Sequence, residues 1–107
     1  MKNQTFLYTG KMLKEIMDAK YIRQGLGEKI YDIYTPIEEV YIIIEQSEDE
    51  DSVEIWGCVA GNAVDYEVYT YDEDSDYEYN QSVFMETYAK IFGIAAEYYM
   101  YNYGFGW

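Results

Sequence analysis

Apolar positions along this chain change period twice, and the two changes divide it into three parts. Over residues 9–24, Leu13, Ile16, Met17 and Tyr21 recur at the three-to-four-residue spacing of one helix face, with Lys11, Lys14 and Arg23 towards the others. Thr9 has the chemistry of an N-cap, and Gly25-Leu26-Gly27 offers a glycine to end the helix. Alternation then takes over. A short strand is expected at residues 30–34, stopped by Thr35-Pro36, and a β-branched one at residues 39–45. A third, residues 53–59, puts Val53, Ile55 and Val59 on one face and Glu54 and Trp56 on the other. A fourth, residues 64–71, sets Val64, Tyr66 and Val68 against Asp65, Glu67 and Tyr69, with the first set expected to pack.

Helical spacing returns after residue 80. Asn80 or Ser82 is the expected cap of a helix reaching about residue 100. Phe84, Tyr88, Ile91, Ala95 and Tyr98 form its inner stripe, and Gly93, Ala95 and Ala96 are the expected points of close approach. The tail alternates again through Tyr99, Tyr101, Tyr103, Phe105 and Trp107. The whole predicts one α+β domain, residues 1–107: an antiparallel sheet of three to four strands flanked by an N-terminal and a C-terminal helix.

Composition adds what periodicity leaves out. At 107 residues there is room for one core, and 15 Tyr supply rings that serve cores and interfaces alike. Charge is the outlying property, with 21 acids, 7 bases, no His and a net −14. Residues 1–29 carry six bases and three acids, whereas residues 30–107 carry eighteen acids and the single base Lys90. Such a surface repels nucleic-acid phosphates and anionic lipid, so neither nucleic acid nor a membrane is an expected direct partner. Cys58 is the only cysteine, which leaves no internal disulfide. Residues 1–8 hold no apolar run of signal-peptide length, and the cytoplasm is the expected compartment.

Catalytic chemistry is poorly provided for. Without His the usual base for a Ser or Cys nucleophile is missing, and Cys58, inside an expected strand, reads as a structural thiol. Asp72, Asp74 and Asp76 are spaced like the start of a calcium loop. The pattern fails at its sixth position, Tyr77, and at its twelfth, Val83. No enzyme, cofactor or dedicated metal site is expected.

The acidic array is the informative feature. A small domain needs a net charge of only about 2–8 in magnitude for solubility. Here thirteen acids and no base fall between Glu45 and Glu78. Two segments, residues 48–51 and 72–78, are expected at corresponding ends of neighbouring strands. The residues expected to meet a partner are Glu48, Asp49, Glu50, Asp51, Glu54, Asp65, Glu67, Asp72, Glu73, Asp74, Asp76 and Glu78. Tyr69, Tyr71, Tyr77 and Tyr79 would flank them, because Tyr gives contact area and a hydrogen bond at little entropic cost.

In size, charge and clustering the chain resembles the small phage and mobile-element proteins that imitate DNA and block restriction, CRISPR or other DNA-binding machinery. That resemblance implies an inhibitor of a basic nucleic-acid-binding protein, acting as a DNA mimic of anti-restriction or anti-CRISPR type. It carries no functional residue over. Two other readings remain. One is an immunity protein that neutralises a basic nuclease toxin. The other is an adaptor or homodimer joined through the aromatic C-terminus.

Overall fold

The computed structural model of this protein describes residues 4–17, 22–23 and 29–104. Helix α1 (Thr5–Ile16) is followed by strands β1 (Ile22–Arg23), β2 (Ile30–Tyr34), β3 (Val40–Gln46), β4 (Val53–Val59) and β5 (Asn62–Tyr69). Helix α2 (Tyr77–Tyr99) comes next and widens into a π-helical segment, Met100–Gly104. The strands form an antiparallel meander in the order β1-β2-β3-β4-β5. The expected α+β class is what forms, with four full strands and the two-residue β1 at one edge.

Both helices lie on one face of the sheet. Phe6 of α1 stacks on Tyr31 of β2 at 4.6 Å. Met12 and Leu13 join the buried cluster of Ile33, Ile42, Ile44 and Ile55, to which α2 adds Phe84, Tyr88 and Ile91. Each such aliphatic or aromatic side chain, fully buried, contributes roughly 1.5–3 kcal/mol. The stripe read from the sequence holds for Phe84, Tyr88, Ile91 and Ala95. Tyr98 is exposed, and the neighbouring Tyr99 takes the inner position against Val40, Val59 and Ala95.

Close approach joins Gly57 of the strand to Ala95 of the helix, as expected for Ala95, and not to Gly93. An added Cβ at Gly57 would lie 2.9 Å from Ile91 Cγ2 and 3.2 Å from Ala95 Cβ, whereas Gly93 has nothing within 4 Å. Gly57 therefore seats α2 across β4.

Several expected elements shift. The first helix starts at Thr5, four residues early. Thr9 is buried inside it, and its hydroxyl donates to the Thr5 carbonyl at 2.7 Å rather than capping. The helix ends at Ile16, with Met17 extended, and Ile22 and Arg23 pair with Ile33 and Asp32. Edge pairing wins there over an apolar spacing that suits a helix equally well. Tyr21 and the Gly25-Leu26-Gly27 stop fall outside the described residues. The tail coils instead of alternating: Tyr99 stacks on Tyr103 at 5.7 Å, and Tyr101 is 73% exposed. Phe105 and Trp107 lie outside the described residues.

Strand β5 is turned over relative to expectation. Val59 pairs with Asn62 across Ala60 and Gly61, whose φ angles of 51° and 87° are those of a type I′ hairpin turn. A bulge between Gly57 and Cys58 then sets Gly57 opposite Asp65, Ile55 opposite Glu67 and Val53 opposite Tyr69. Directly opposed residues share a face, so Asp65, Glu67 and Tyr69 lie on the helix side. Tyr66 and Val68 lie on the open side, 48% and 52% exposed. Strict alternation cannot say which set faces in when both contain apolar residues, and a bulge changes the parity.

The packing at Gly57 is directly testable. Gly57→Val should destabilise the protein by about 2 kcal/mol, because a branched side chain overpacks a closed helix–sheet contact. Urea unfolding followed by circular dichroism reads this, and an unchanged midpoint would show that α2 does not sit on β4.

Candidate functional site

An antiparallel meander returns alternate connections to the same end of the sheet. Gln46 pairs with Val53, closing the turn of residues 47–52, and Val53 pairs in turn with Tyr69 at the end of β5. The two acidic segments therefore leave the sheet side by side, within one or two strand spacings, about 5–10 Å. Thr5 ties them together. Its hydroxyl is fully buried, donates to the Asp51 carbonyl at 2.9 Å and accepts from the Tyr71 N–H at 3.2 Å. One hydroxyl has a proton and two lone pairs, so both bonds coexist.

The carboxylates at this end divide into two kinds. Three build the backbone. Asp49 Oδ1 accepts from the Ser47 hydroxyl and from the Asp51 N–H at 3.0 Å, and these bonds hold its carboxyl below the usual range. Asp72 accepts from the Asp74 N–H at 3.0 Å and the Ser75 hydroxyl at 2.8 Å. Asp76 caps α2 by accepting from the Tyr79 N–H at 2.7 Å. The side chains of Glu48, Glu73, Asp74 and Glu78 are exposed and make no hydrogen bond or ion pair among the described residues. Glu50 pairs with Lys29 at 3.6 Å, both well exposed, a contact of small energetic weight.

Crowding like charges costs stability, and α2 offsets part of that cost. Its N-terminus opens in the second acidic segment. The unsatisfied N–H groups there act as about half a positive charge, and nearby carboxylates gain roughly 0.3–1 kcal/mol each.

Asn80 holds that segment to the helix. It is buried, its Oδ1 accepts from the Asp72 N–H at 2.7 Å, and its Nδ2 donates to the carbonyls of Asp72 at 2.9 Å and Asp76 at 2.8 Å. The Tyr69 hydroxyl donates to the Asn80 carbonyl at 3.0 Å. The sequence suggests Asn80 only as a cap. Its real signal was an amide at the position where the inner stripe of a helix begins. Thr5 gave no signal, because both its partners are distant backbone groups.

The remaining predicted residues separate. Glu54, in β4, adjoins the first acidic turn, and Tyr79 is exposed in the first turn of α2. Asp65 and Glu67 lie further along β5 beside α2, where the Lys90 ammonium pairs with Glu67. Tyr69 and Tyr71 are not flanking contacts. Both are buried: the turned-over strand directs Tyr69 inward, edge-on to Phe84, and Tyr71, two residues beyond the strand, stacks on Tyr8 with its N–H donating to the Thr5 hydroxyl. Tyr77 is half-buried and bound to α1. Its hydroxyl donates to Glu15 Oε2 at 2.9 Å and Lys11 Nζ sits 4.5 Å from its ring centre. Burial first, then the Glu15 carboxylate, push its pKa up to about 12.

Cys58 is buried on the open side of β4, and burial raises its thiol pKa, which favours the unreactive neutral form. Among the described residues no three His, Cys, Asp or Glu side chains gather as a metal-binding group. No described helix is long and apolar enough to cross a membrane. The chain matches no family model, no curated protein and no solved structure.

Two substitutions separate the clasp from the cap. Asn80→Ala should cost about 2–4 kcal/mol, because it leaves buried backbone partners unsatisfied. Asp76→Ala should cost about 1 kcal/mol, the value of one N-cap. Equal effects in urea unfolding would mean that the amide does not close the loop.

Proposed function

We propose that this chain is a non-enzymatic binding protein whose acidic end occupies the basic, nucleic-acid-binding groove of a partner protein. The observation that supports it is the convergence of residues 48–51 and 72–78 at one end of the sheet, with Glu48, Glu73, Asp74 and Glu78 making no hydrogen bond or ion pair among the described residues. Duplex DNA presents one negative charge per roughly 1.7 Å of its axis, and proteins bind it by neutralising those charges and releasing counterions. A groove lined by Lys and Arg gains the same Coulomb energy from carboxylates held by a folded body. Asp49, Asp72 and Asp76 make that body rigid, so the free carboxylates are presented without ordering a flexible chain on binding. Restriction and CRISPR nucleases are the class of target that such imitation suits.

The division of the carboxylates designs the test. Glu48→Lys, Glu73→Lys, Asp74→Lys and Glu78→Lys combined should leave the fold intact, since none of the four makes a hydrogen bond or ion pair among the described residues and the helix-dipole contribution lost at Glu78 is about 1 kcal/mol or less. Binding to nucleic-acid-binding proteins captured on the immobilised wild type should weaken about a hundredfold or more. Short duplex DNA should elute those proteins from the wild type. Capture undiminished by the four changes, or captured proteins that hold DNA and this chain together, would defeat the proposal.

Charge crowding has its own readout. The melting temperature of the wild type should rise as NaCl increases from low to moderate concentration, because screening over about 10 Å at 0.1 M relaxes carboxylate repulsion. The fourfold variant should show a flatter trend. A wild-type melting temperature that falls with salt would mean that attractive pairs dominate.

A further inference from the structure

The sheet face opposite the helices is a second surface with its own chemistry. Ile43, Trp56 and Tyr66 lie directly opposite one another across β3, β4 and β5, and in the next row Glu45, Glu54 and Val68 do the same. No described helix covers these rows, since α1 and α2 both pack on the other side. The Trp56 and Tyr66 rings stack face to face at 4.6 Å and 20°, a two-ring aromatic platform on the open face in which each ring covers one face of the other.

Glu45 and Glu54 stand beside that platform as a like-charged cross-strand pair, an arrangement that opposes sheet formation. Neither makes an ion pair among the described residues. They also line an open groove of about 480 Å³ with Glu48 and Asp49, which joins this face to the acidic end.

These neighbours select the occupant. A purely apolar partner would cover the rings but drive water from two repelling carboxylates. A second copy would bring another chain of net charge −14 against the same pair. A Lys ammonium would relieve the repulsion but match a flat ring poorly. A guanidinium does three things at once: it neutralises the pair, donates to a carboxylate in its own plane, and stacks on an aromatic face.

We propose that the open sheet face docks an arginine-bearing segment of a protein partner. The guanidinium lies between the Glu45–Glu54 pair and the Trp56–Tyr66 platform, and apolar partner side chains cover Val68 and Ile43. This rests on the reading of the acidic end as a site for a basic protein, and it names the base that is read.

Trp56 itself reports the contact. With Trp107→Phe as background, Trp56 is the only indole, and its emission is followed during titration with three synthetic peptides of equal length. They alternate arginine with leucine, lysine with leucine, and arginine with serine. The arginine–leucine peptide should shift Trp56 emission and bind about tenfold more tightly than either of the others. Tyr66→Ser with Val68→Ser should remove that preference, and Glu54→Gln should weaken the arginine–leucine peptide most.

A threefold loop variant, Glu73→Lys with Asp74→Lys and Glu78→Lys, leaves the groove residue Glu48 in place and separates the two proposals. It should lower the affinity of all three peptides together while keeping the arginine preference and the Trp56 response. If the loop variant binds all three as the wild type does, the acidic-end proposal fails and the sheet-face proposal stands on its own preference. Equal affinity for arginine and lysine peptides, or unchanged Trp56 emission at saturation, overturns the sheet-face proposal. So does a dimer in sedimentation that Tyr66→Ser with Val68→Ser dissociates, because a second copy would then be the occupant.

Discussion

The contact of Ile91 and Ala95 with the bare backbone of Gly57 fixes where α2 lies, and most of the molecule follows from it. A helix seated there buries Phe84, Tyr88 and Ile91 against the strands and opens at the end where both acidic segments emerge. Its positive N-terminus then faces the densest negative charge in the chain. Asn80, one turn into the helix, bonds back to Asp72 and Asp76 and closes the loop. Core packing, helix dipole and loop geometry thus favour the same arrangement, which is how the fold accommodates a crowd of carboxylates.

The sheet is asymmetric for a related reason. Two helices occupy one face, so the other keeps its rings in contact with solvent and with each other. The turned-over β5 sharpens this contrast by sending Tyr69 to the core and Glu67 to Lys90, while Tyr66 stacks on Trp56 outside. The acidic end and the aromatic face meet at Glu54. Long-range attraction and short-range stacking are therefore offered on adjoining surfaces of one rigid body.

Fold class was legible because burial on a helix or strand imposes a period. Phe84, Tyr88, Ile91 and Ala95 announced the inner face of α2, and Val53, Ile55 and Val59 that of β4. The first helix was placed late because Thr5 and Phe6 are held by tertiary partners, the Asp51 carbonyl and the Tyr31 ring, which have no local signature. The site was half legible. Charge density singled out residues 48–51 and 72–78, which the fold brings to one end of the sheet, but nothing local separates Asp72, which builds its loop, from Glu73, which makes no hydrogen bond or ion pair among the described residues.

The amino-acid sequence by itself determined the four full strands and the second helix, the sign of the surface and the end of the sheet to which the two acidic segments belong, since an antiparallel meander must bring alternate connections together. Tertiary structure alone decided which face of β5 is buried and which carboxylates are free. Parity across a bulged hairpin is set by pairing with β4, and a hydrogen-bond partner distant in sequence leaves no periodic trace.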